Sequence, residues 1–164
     1  MTDPRSPLHH APRALLLDFG GVVFETRKRP TGRDELAASL AARAERAGHP
    51  IDTADVRRSL DAGITALGHW KHASSRRLEP REMSHREVVG DFLAADLPTP
   101  VRTLFIAEAG EILEEVNTTL SDHTVRPGIR DLLAEAQRRG IPLGIVSNAH
   151  SGRSHRRLLA AHGL

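Results

Sequence analysis

Two short apolar runs that lie far apart in the chain constrain its fold more than any other feature. The first is Leu15 to Leu17, followed by Asp18, and the second is Ile141 to Val146, followed by Ser147. A short, continuous apolar run is typical of a strand that is buried on both faces of a parallel sheet. Because helical patterns stand between and after the two runs, the sequence predicts an α/β fold with a parallel sheet.

The long region between the two runs has the pattern of helices. From about Arg33 to Asn117, apolar residues recur at helical spacing, which predicts about four helices and no strand. The expected boundary signals are Gly48 as the stop of the first helix, Thr53 as the cap of the second, Ser84 with Glu87 as a capping box for the third, and Thr99 before Pro100 for a last helix that continues to Val116.

The order of these patterns predicts three segments. Residues 1–26 contain a leader and the first core strand with the loop that follows it. Residues 27–122 form a helical insertion. Residues 123–164 return to the α/β core as helix, strand and helix, and leave that core incomplete at its C-terminal end.

The composition limits where the protein works. It has no cysteine, which excludes disulfides and fits a reducing cytoplasm, so we expect a cytoplasmic protein. The first residues have no apolar segment of the kind found in signal peptides, and no apolar run approaches the ~18 residues of a membrane span. The sequence therefore predicts no membrane partner.

The distribution of charge gives no sign of a nucleic-acid partner. The net charge is only +2, and arginine pairs such as Arg57–Arg58 and Arg138–Arg139 are scattered along the chain. Nucleic-acid binding usually requires a concentrated basic face. We therefore predict a small-molecule ligand, with an oligomer possible because open sheet edges tend to associate.

Polar residues follow each predicted strand directly. Asp18 ends the first run, Gly20 and Gly21 after it allow a tight turn, and Ser147 and Asn148 end the second run. Ligands of open α/β sheets bind beyond the carboxyl ends of the strands. If the two strands are neighbours, these polar groups face each other across a crevice; taken alone, Asp18 or Ser147 could simply be a turn residue.

The residues around both strand ends resemble those of a known enzyme family. The segment from Leu15 to Val23, with Asp18-Phe19-Gly20-Gly21 at its centre, resembles the first motif of the haloacid dehalogenase superfamily. Ile141 to Asn148, which ends Ile-Val-Ser-Asn, resembles the second motif. Arg126-Pro127-Gly128-Ile129 is similar to the Pro-Gly opening of the helix that precedes that motif in the family.

The resemblance implies a Rossmann-like parallel sheet with an inserted all-helical cap, and the activity of a Mg²⁺-dependent phosphatase on a small phosphorylated metabolite. Asp18 would be the nucleophile that forms an aspartyl-phosphate, and Mg²⁺ would be held by its carboxylate and the carbonyl of Gly20. The other implied site residues are Ser147 and Asn148 at the catalytic centre, and Gly20, Gly21, Trp70, Lys71 and Arg76 around the substrate.

Two departures from the family pattern bear on activity. Gly20 stands where typical phosphatases of the family have an Asp that acts as general acid and base. After Ser147 the sequence contains no Lys, Asp or Glu, although the family uses a Lys and one or two acids there. The chain thus resembles the N-terminal portion of such an enzyme, and we expect the 164 residues by themselves to be inactive.

Three other interpretations remain open at this point. A dehalogenase-type hydrolase also lacks the second acid and needs no metal. A catalytically dead domain of the same fold would bind a partner through its cap, in keeping with the missing Lys and acids. An all-helical interaction module would require the two apolar runs to be helical, against their enrichment in Val and Ile.

Overall fold

The structure is a computed structural model that describes residues 12–164, so the predicted leader before Pro12 lies outside the described residues. Its mixed α/β architecture, with a small parallel sheet and many helices, confirms the predicted class and excludes the all-helical module. In chain order, the elements are β1 (Leu15–Leu17), β2 (Phe24–Lys28), α1 (Gly32–Arg46), α2 (Thr53–Ser74), α3 (His85–Val88), a π-helical turn (Val89–Leu93), α4 (Thr99–Ala107), α5 (Ala109–Thr119), β3 (Ser121–Val125), α6 (Ile129–Arg138), β4 (Leu143–Ile145) and α7 (Gly152–Ala161).

The chain divides into two compact units. The sheet unit contains the chain up to Thr26 together with His123–Ala149 and Arg157–Leu164. The helical unit contains Arg27–Asp122 and His150–Arg156. The parallel sheet belongs to the first of these units, and helices α1 to α5 belong to the second.

The sheet unit is built on the pairing of β1 with β4. The two strands run parallel, with Leu15 opposite Leu143 and Leu17 opposite Ile145. The amide of Val146 extends the pairing, because it donates to the Leu17 carbonyl at 3.0 Å. The small core beside the sheet consists of Phe19, Val23, Phe24 and Ile129, with partly buried leucines of α6 and α7 packed against it. The two apolar runs are therefore neighbouring strands, a point that the sequence analysis left open.

The helical unit has a larger core of its own. Its buried side chains come mainly from α1, α2, α4 and α5, and they include Leu36, Leu40, Leu60, Phe105 and Ile112. None of the helices in the described part of the chain combines the length and apolar character of a membrane span.

The helix boundaries match the predicted signals in part. The capping box is confirmed, since the Ser84 hydroxyl accepts from the Glu87 amide while the Glu87 carboxylate accepts from the Ser84 amide. The prediction of Thr53 as a cap is wrong: the carboxylate of Asp52 accepts from the Ala54 amide at 2.7 Å instead. An Asp at this position caps at least as well as a Thr.

The predicted last helix is two helices in the structure. α4 ends at Ala107 and α5 begins at Ala109, with Glu108 between them in a non-helical conformation. The apolar periodicity continues across this break because Phe105 and Ile112 both point into the same core. Periodicity therefore predicted one helix where the backbone forms two.

A second pair of strands was missed by the sequence analysis, which expected only a loop after the first core strand. β2 pairs with β3. The Arg29 amide donates to the Leu120 carbonyl and the Arg126 amide donates to the Val23 carbonyl, at 2.9 and 3.0 Å. Residue numbers rise along one strand as they fall along the other, so the pair is antiparallel. Each strand runs from one unit into the other.

Candidate active site

The loop that follows β1 presents Asp18 to solvent. Asp18 is exposed, whereas its neighbour Phe19 is buried and stacks on the ring of Phe24 with the centroids 4.8 Å apart. One carboxylate oxygen of Asp18, Oδ1, accepts a hydrogen bond from the Phe19 amide at 2.7 Å. Burial of the Phe19 ring therefore fixes the backbone next to Asp18. Within the described residues, the second carboxylate oxygen of Asp18, Oδ2, accepts no hydrogen bond from a neighbouring amide.

After Phe19 the backbone turns sharply back on itself. The Phe19 carbonyl accepts from the amides of both Val23 and Phe24, at 3.1 and 3.0 Å, and the Gly21 amide donates to the Phe24 carbonyl at 2.8 Å. Gly21 has φ +79°, a backbone conformation that is energetically unfavourable for residues with a side chain. The two predicted glycines thus form the tight turn expected of them. We call residues 18–24 the nucleophile loop, after the role that the family resemblance implies for Asp18.

The nucleophile loop is also held by Arg126, which lies between β3 and α6. The guanidinium of Arg126 donates to the Gly21 carbonyl, and its backbone amide donates to the Val23 carbonyl at 3.0 Å. Sequence analysis noticed Arg126 only as part of the Pro-Gly opening of a helix. The sequence did contain a signal for this contact, because the long, charged side chain of an Arg just before the Pro-Gly pair can reach the end of a neighbouring strand. It does not show which backbone carbonyl the guanidinium binds.

The second strand end carries the other two predicted catalytic residues. Ser147 and Asn148 follow β4 and are both exposed, and the Ser147 hydroxyl accepts from the Ala149 amide at 3.3 Å. Since Leu17 lies opposite Ile145 in the parallel pair, Asp18 and Ser147 follow the carboxyl ends of neighbouring strands. This is the arrangement in which open α/β sheets bind their ligands.

Comparison with known protein families matches residues 12–164 to the haloacid dehalogenase-like hydrolases. The chain belongs to this family. Membership of the family indicates hydrolase activity in general, and it agrees with the resemblance of both strand-end motifs. No curated protein matches the chain.

In this haloacid dehalogenase-like hydrolase, Asp18 and Gly20 are the residues that could hold a metal ion. Within residues 12–164 no group of three or more His, Cys, Asp and Glu side chains could hold one. Mg²⁺ takes six oxygen ligands, but it commonly keeps several waters and is held by one or two carboxylates together with substrate phosphates. One carboxylate and one carbonyl therefore fit Mg²⁺ only as part of a site that phosphate and water complete.

The predicted substrate-binding residues of the helical unit lie around the C-terminal end of α2. Trp70 and Lys71 are in its last turns and Arg76 follows it. Trp70 is partly buried and packs against the helical core, so its side chain has a packing role in the helical unit. Burial lowers the pKa of the Lys71 ammonium, and the carboxylate of Glu82 opposes that shift.

His150 adds an electrostatic feature to the helical unit that was not among the predicted site residues. Burial lowers the pKa of its imidazole, and the positive charge of Lys71 lowers it further. Its Nε2 atom is buried and has no hydrogen-bond partner among the described residues. Burial and the nearby charge of Lys71 both favour the neutral imidazole of His150.

One apolar groove of the sheet unit does not coincide with the predicted site. It has a volume of about 620 Å³ and an apolar lining that includes Leu133, Ile145, Leu159 and Leu164. Neither Asp18 nor Ser147 lines it. The candidate active site therefore remains the predicted one at the ends of β1 and β4, and this groove is separate from it.

Proposed function

We propose that this hydrolase is a Mg²⁺-dependent phosphatase that acts on a small phosphorylated metabolite through an aspartyl-phosphate formed on Asp18. The observation that supports the proposal is the parallel pairing of β1 with β4, which brings Asp18 and Ser147 to neighbouring strand ends. The family match adds the expectation of hydrolysis. Because the sequence after Ser147 has no Lys, Asp or Glu, the proposal is to be tested on the protein isolated from its natural source.

The chemistry assigned to Asp18 has two steps. In the first, a carboxylate oxygen attacks phosphorus, the bond from phosphorus to the leaving oxygen breaks, and that oxygen takes a proton from water. In the second, water attacks the phosphorus of the acyl phosphate, which releases inorganic phosphate and restores the carboxylate. The hydrogen bond from the Phe19 amide holds Oδ1 in place, so we assign the attack to Oδ2.

The other residues position the substrate. The Ser147 hydroxyl and the Val22 amide of the nucleophile loop, which makes no hydrogen bond within the described residues, donate to phosphate oxygens. Asn148 supports the same end of β4. The Asp18 carboxylate and the Gly20 carbonyl would hold Mg²⁺, which would supply positive charge to offset the repulsion between phosphate and carboxylate. Lys71 and Arg76, with Trp70, keep the substrate-binding role proposed from the sequence.

Gly20 restricts the substrate class. It supplies no acid to protonate a leaving group, so departure must be easy without that assistance. We therefore propose a substrate with a leaving group of low pKa, such as a sugar 1-phosphate. By the same argument, we expect a phosphate monoester of a simple alcohol to be a poor substrate, because its leaving group has a high pKa.

Introducing an acid at this position is expected to broaden the substrate range. A Cβ atom on Gly20 meets nothing within 4 Å, so Gly20→Asp is sterically tolerated. General acid catalysis contributes about 100-fold or more, so hydrolysis of aryl phosphates with poor leaving groups should rise by about that factor while good leaving groups change little. The measurement is kcat/KM across a series of aryl phosphates. Gly20→Asn is the matched control and should leave kcat/KM unchanged across the aryl phosphates. Equal rates of the wild type with good and poor leaving groups would contradict the role given to Gly20.

One assay separates the proposed phosphatase from a metal-independent dehalogenase. The dehalogenase is the alternative to test because dehalogenase-type members of the family also lack an acid at the position of Gly20. The natural protein is given an aryl phosphate and, separately, a 2-haloacid, each with Mg²⁺ and with a chelator in its place. Phosphate release that requires Mg²⁺ supports the phosphatase. Halide release that survives the chelator supports the dehalogenase. Failure of both substrate classes, over a range of leaving groups, favours the catalytically dead binding domain.

A further inference from the structure

The nucleophile loop has one tether that the family motifs do not account for. Gly21, the turn residue of the loop, accepts a side-chain hydrogen bond from Arg126, a residue 105 positions further along the chain. The backbone of Arg126 is fixed at the same place, because its amide donates to the Val23 carbonyl and its carbonyl accepts from the Ile129 amide. The side chain therefore extends from a point already bound to the loop.

Within the described residues, no carboxylate competes for the Arg126 guanidinium. None of the ion pairs among residues 12–164 includes Arg126, although other arginines of the chain, such as Arg138 and Arg139, pair with acids. A guanidinium has five N–H donors, and charge-assisted bonds are stronger than neutral ones. The bond to Gly21 is thus a strong contact between a cation and the one residue of the loop with positive φ.

The bond also acts on the next peptide group. When the Gly21 carbonyl accepts a hydrogen bond from a cation, the peptide that it shares with Val22 is polarised, and the Val22 amide becomes a better donor. The Val22 amide makes no hydrogen bond of its own within the described part of the chain, and Val22 is 38% exposed. It can therefore donate to a ligand oxyanion at the loop.

We infer that Arg126 is a positioning residue that holds the Gly20–Gly21 turn in place and directs the Val22 amide towards the anionic group that the loop binds. The inference rests on the proposed role of the nucleophile loop in phosphate hydrolysis. Arg126 acts through the Gly21 carbonyl and does not itself touch the reacting atoms.

The test compares Arg126→Ala with Arg130→Ala by hydrogen exchange on the full chain. Arg130 is the matched control because it is also an exposed arginine, in this case at the start of α6, but its guanidinium donates to the His162 carbonyl at 2.6 Å. Arg126→Ala should speed exchange of the Gly21, Val23 and Phe24 amides about tenfold, since one charge-assisted bond is lost. Arg130→Ala should leave those amides unchanged.

A second variant and a ligand separate positioning from general stability. Arg126→Lys retains the charge on a flexible stem and should restore part of the loop protection. Titration with inorganic phosphate should shift the Val22 amide resonance in the wild type and in Arg130→Ala, and about tenfold more weakly in Arg126→Ala. In a protein that turns over, Arg126→Ala should lower kcat with little change in KM.

The inference is overturned if exchange in the loop is the same in all variants, or if Arg126→Ala speeds exchange equally throughout β1 and α6. The inference is also overturned if Arg126→Lys restores no protection of the loop amides and exchange is faster throughout the sheet unit. Because hydrogen exchange does not depend on turnover, the loop result stands even if the protein proves not to be a phosphatase. Conversely, a phosphatase with an unchanged loop in Arg126→Ala would retain the proposed function and lose this inference.

Discussion

Replacing Asp18 with Asn is expected to lower kcat/KM for phosphate hydrolysis by at least about 1,000-fold, or about 4 kcal/mol of transition-state stabilisation. An amide oxygen is a far weaker nucleophile than a carboxylate oxygen, so the aspartyl-phosphate should not form. The measurement is steady-state kinetics with an aryl phosphate, together with acid quenching to trap the phosphorylated protein. Wild type should accumulate phosphate on the peptide that contains Asp18, and the variant should not.

The fold should tolerate this change. Asp18 is exposed, and the side-chain oxygen of Asn can still accept from the Phe19 amide. The matched control is Asp131→Asn, which removes another exposed carboxylate from the same unit, in the first turn of α6. It should retain wild-type kinetics. Activity within a few fold of wild type in Asp18→Asn would exclude Asp18 as the nucleophile.

Replacing Gly63 with Ala is expected to destabilise the helical unit by about 3 kcal/mol or more. Gly63 lies in α2, and a Cβ atom there would overlap the backbone carbonyl of Phe92 and lie 3.0 Å from the Cα atom of Leu93. These are backbone atoms, which cannot move aside like the end of a flexible side chain. The hydroxyl of Ser59 also ties α2 to the Leu93 carbonyl, at 3.0 Å.

Gly68, five positions further along the same helix, provides the control. A Cβ atom on Gly68 meets nothing within 4 Å, so Gly68→Ala should stabilise the unit by about 0.5–1 kcal/mol through the better helix propensity of alanine. The measurement is urea unfolding of both variants and of the wild type, followed by far-ultraviolet circular dichroism. Equal effects of the two substitutions would show that α2 does not approach the π-helical turn as closely as the structure has it.

The sequence predicted those parts of the fold whose signals are local. β1 and β4 are short apolar runs bounded by polar residues, a pattern typical of parallel strands. The predicted burial on both faces is wrong, because Leu16, Leu143 and Ile145 are exposed. The capping box at Ser84 was predicted for a similar reason, since both partners stand three residues apart and satisfy each other's backbone amides.

The missed elements depend on partners that are distant in the chain. β2 reads Phe-Glu-Thr-Arg-Lys and is exposed over four of its five residues, so no apolar pattern marks it as a strand. Its hydrogen bonds come from β3, and a side-chain contact between Thr26 and His123, 97 residues apart, accompanies the pairing. The break at Glu108 was missed because both flanking helices face one core, and only the backbone shows that they are separate.

The candidate site divides in the same way. The sequence by itself determined that Asp18 and Ser147 follow apolar strands and that glycines allow the turn between Phe19 and Val22, because these are properties of neighbouring residues. Only the tertiary structure decided that β1 and β4 are adjacent and parallel and that Arg126 binds the Gly21 carbonyl. Those contacts join residues more than a hundred positions apart, and their free energy is gained only when packing of the whole unit brings the partners together.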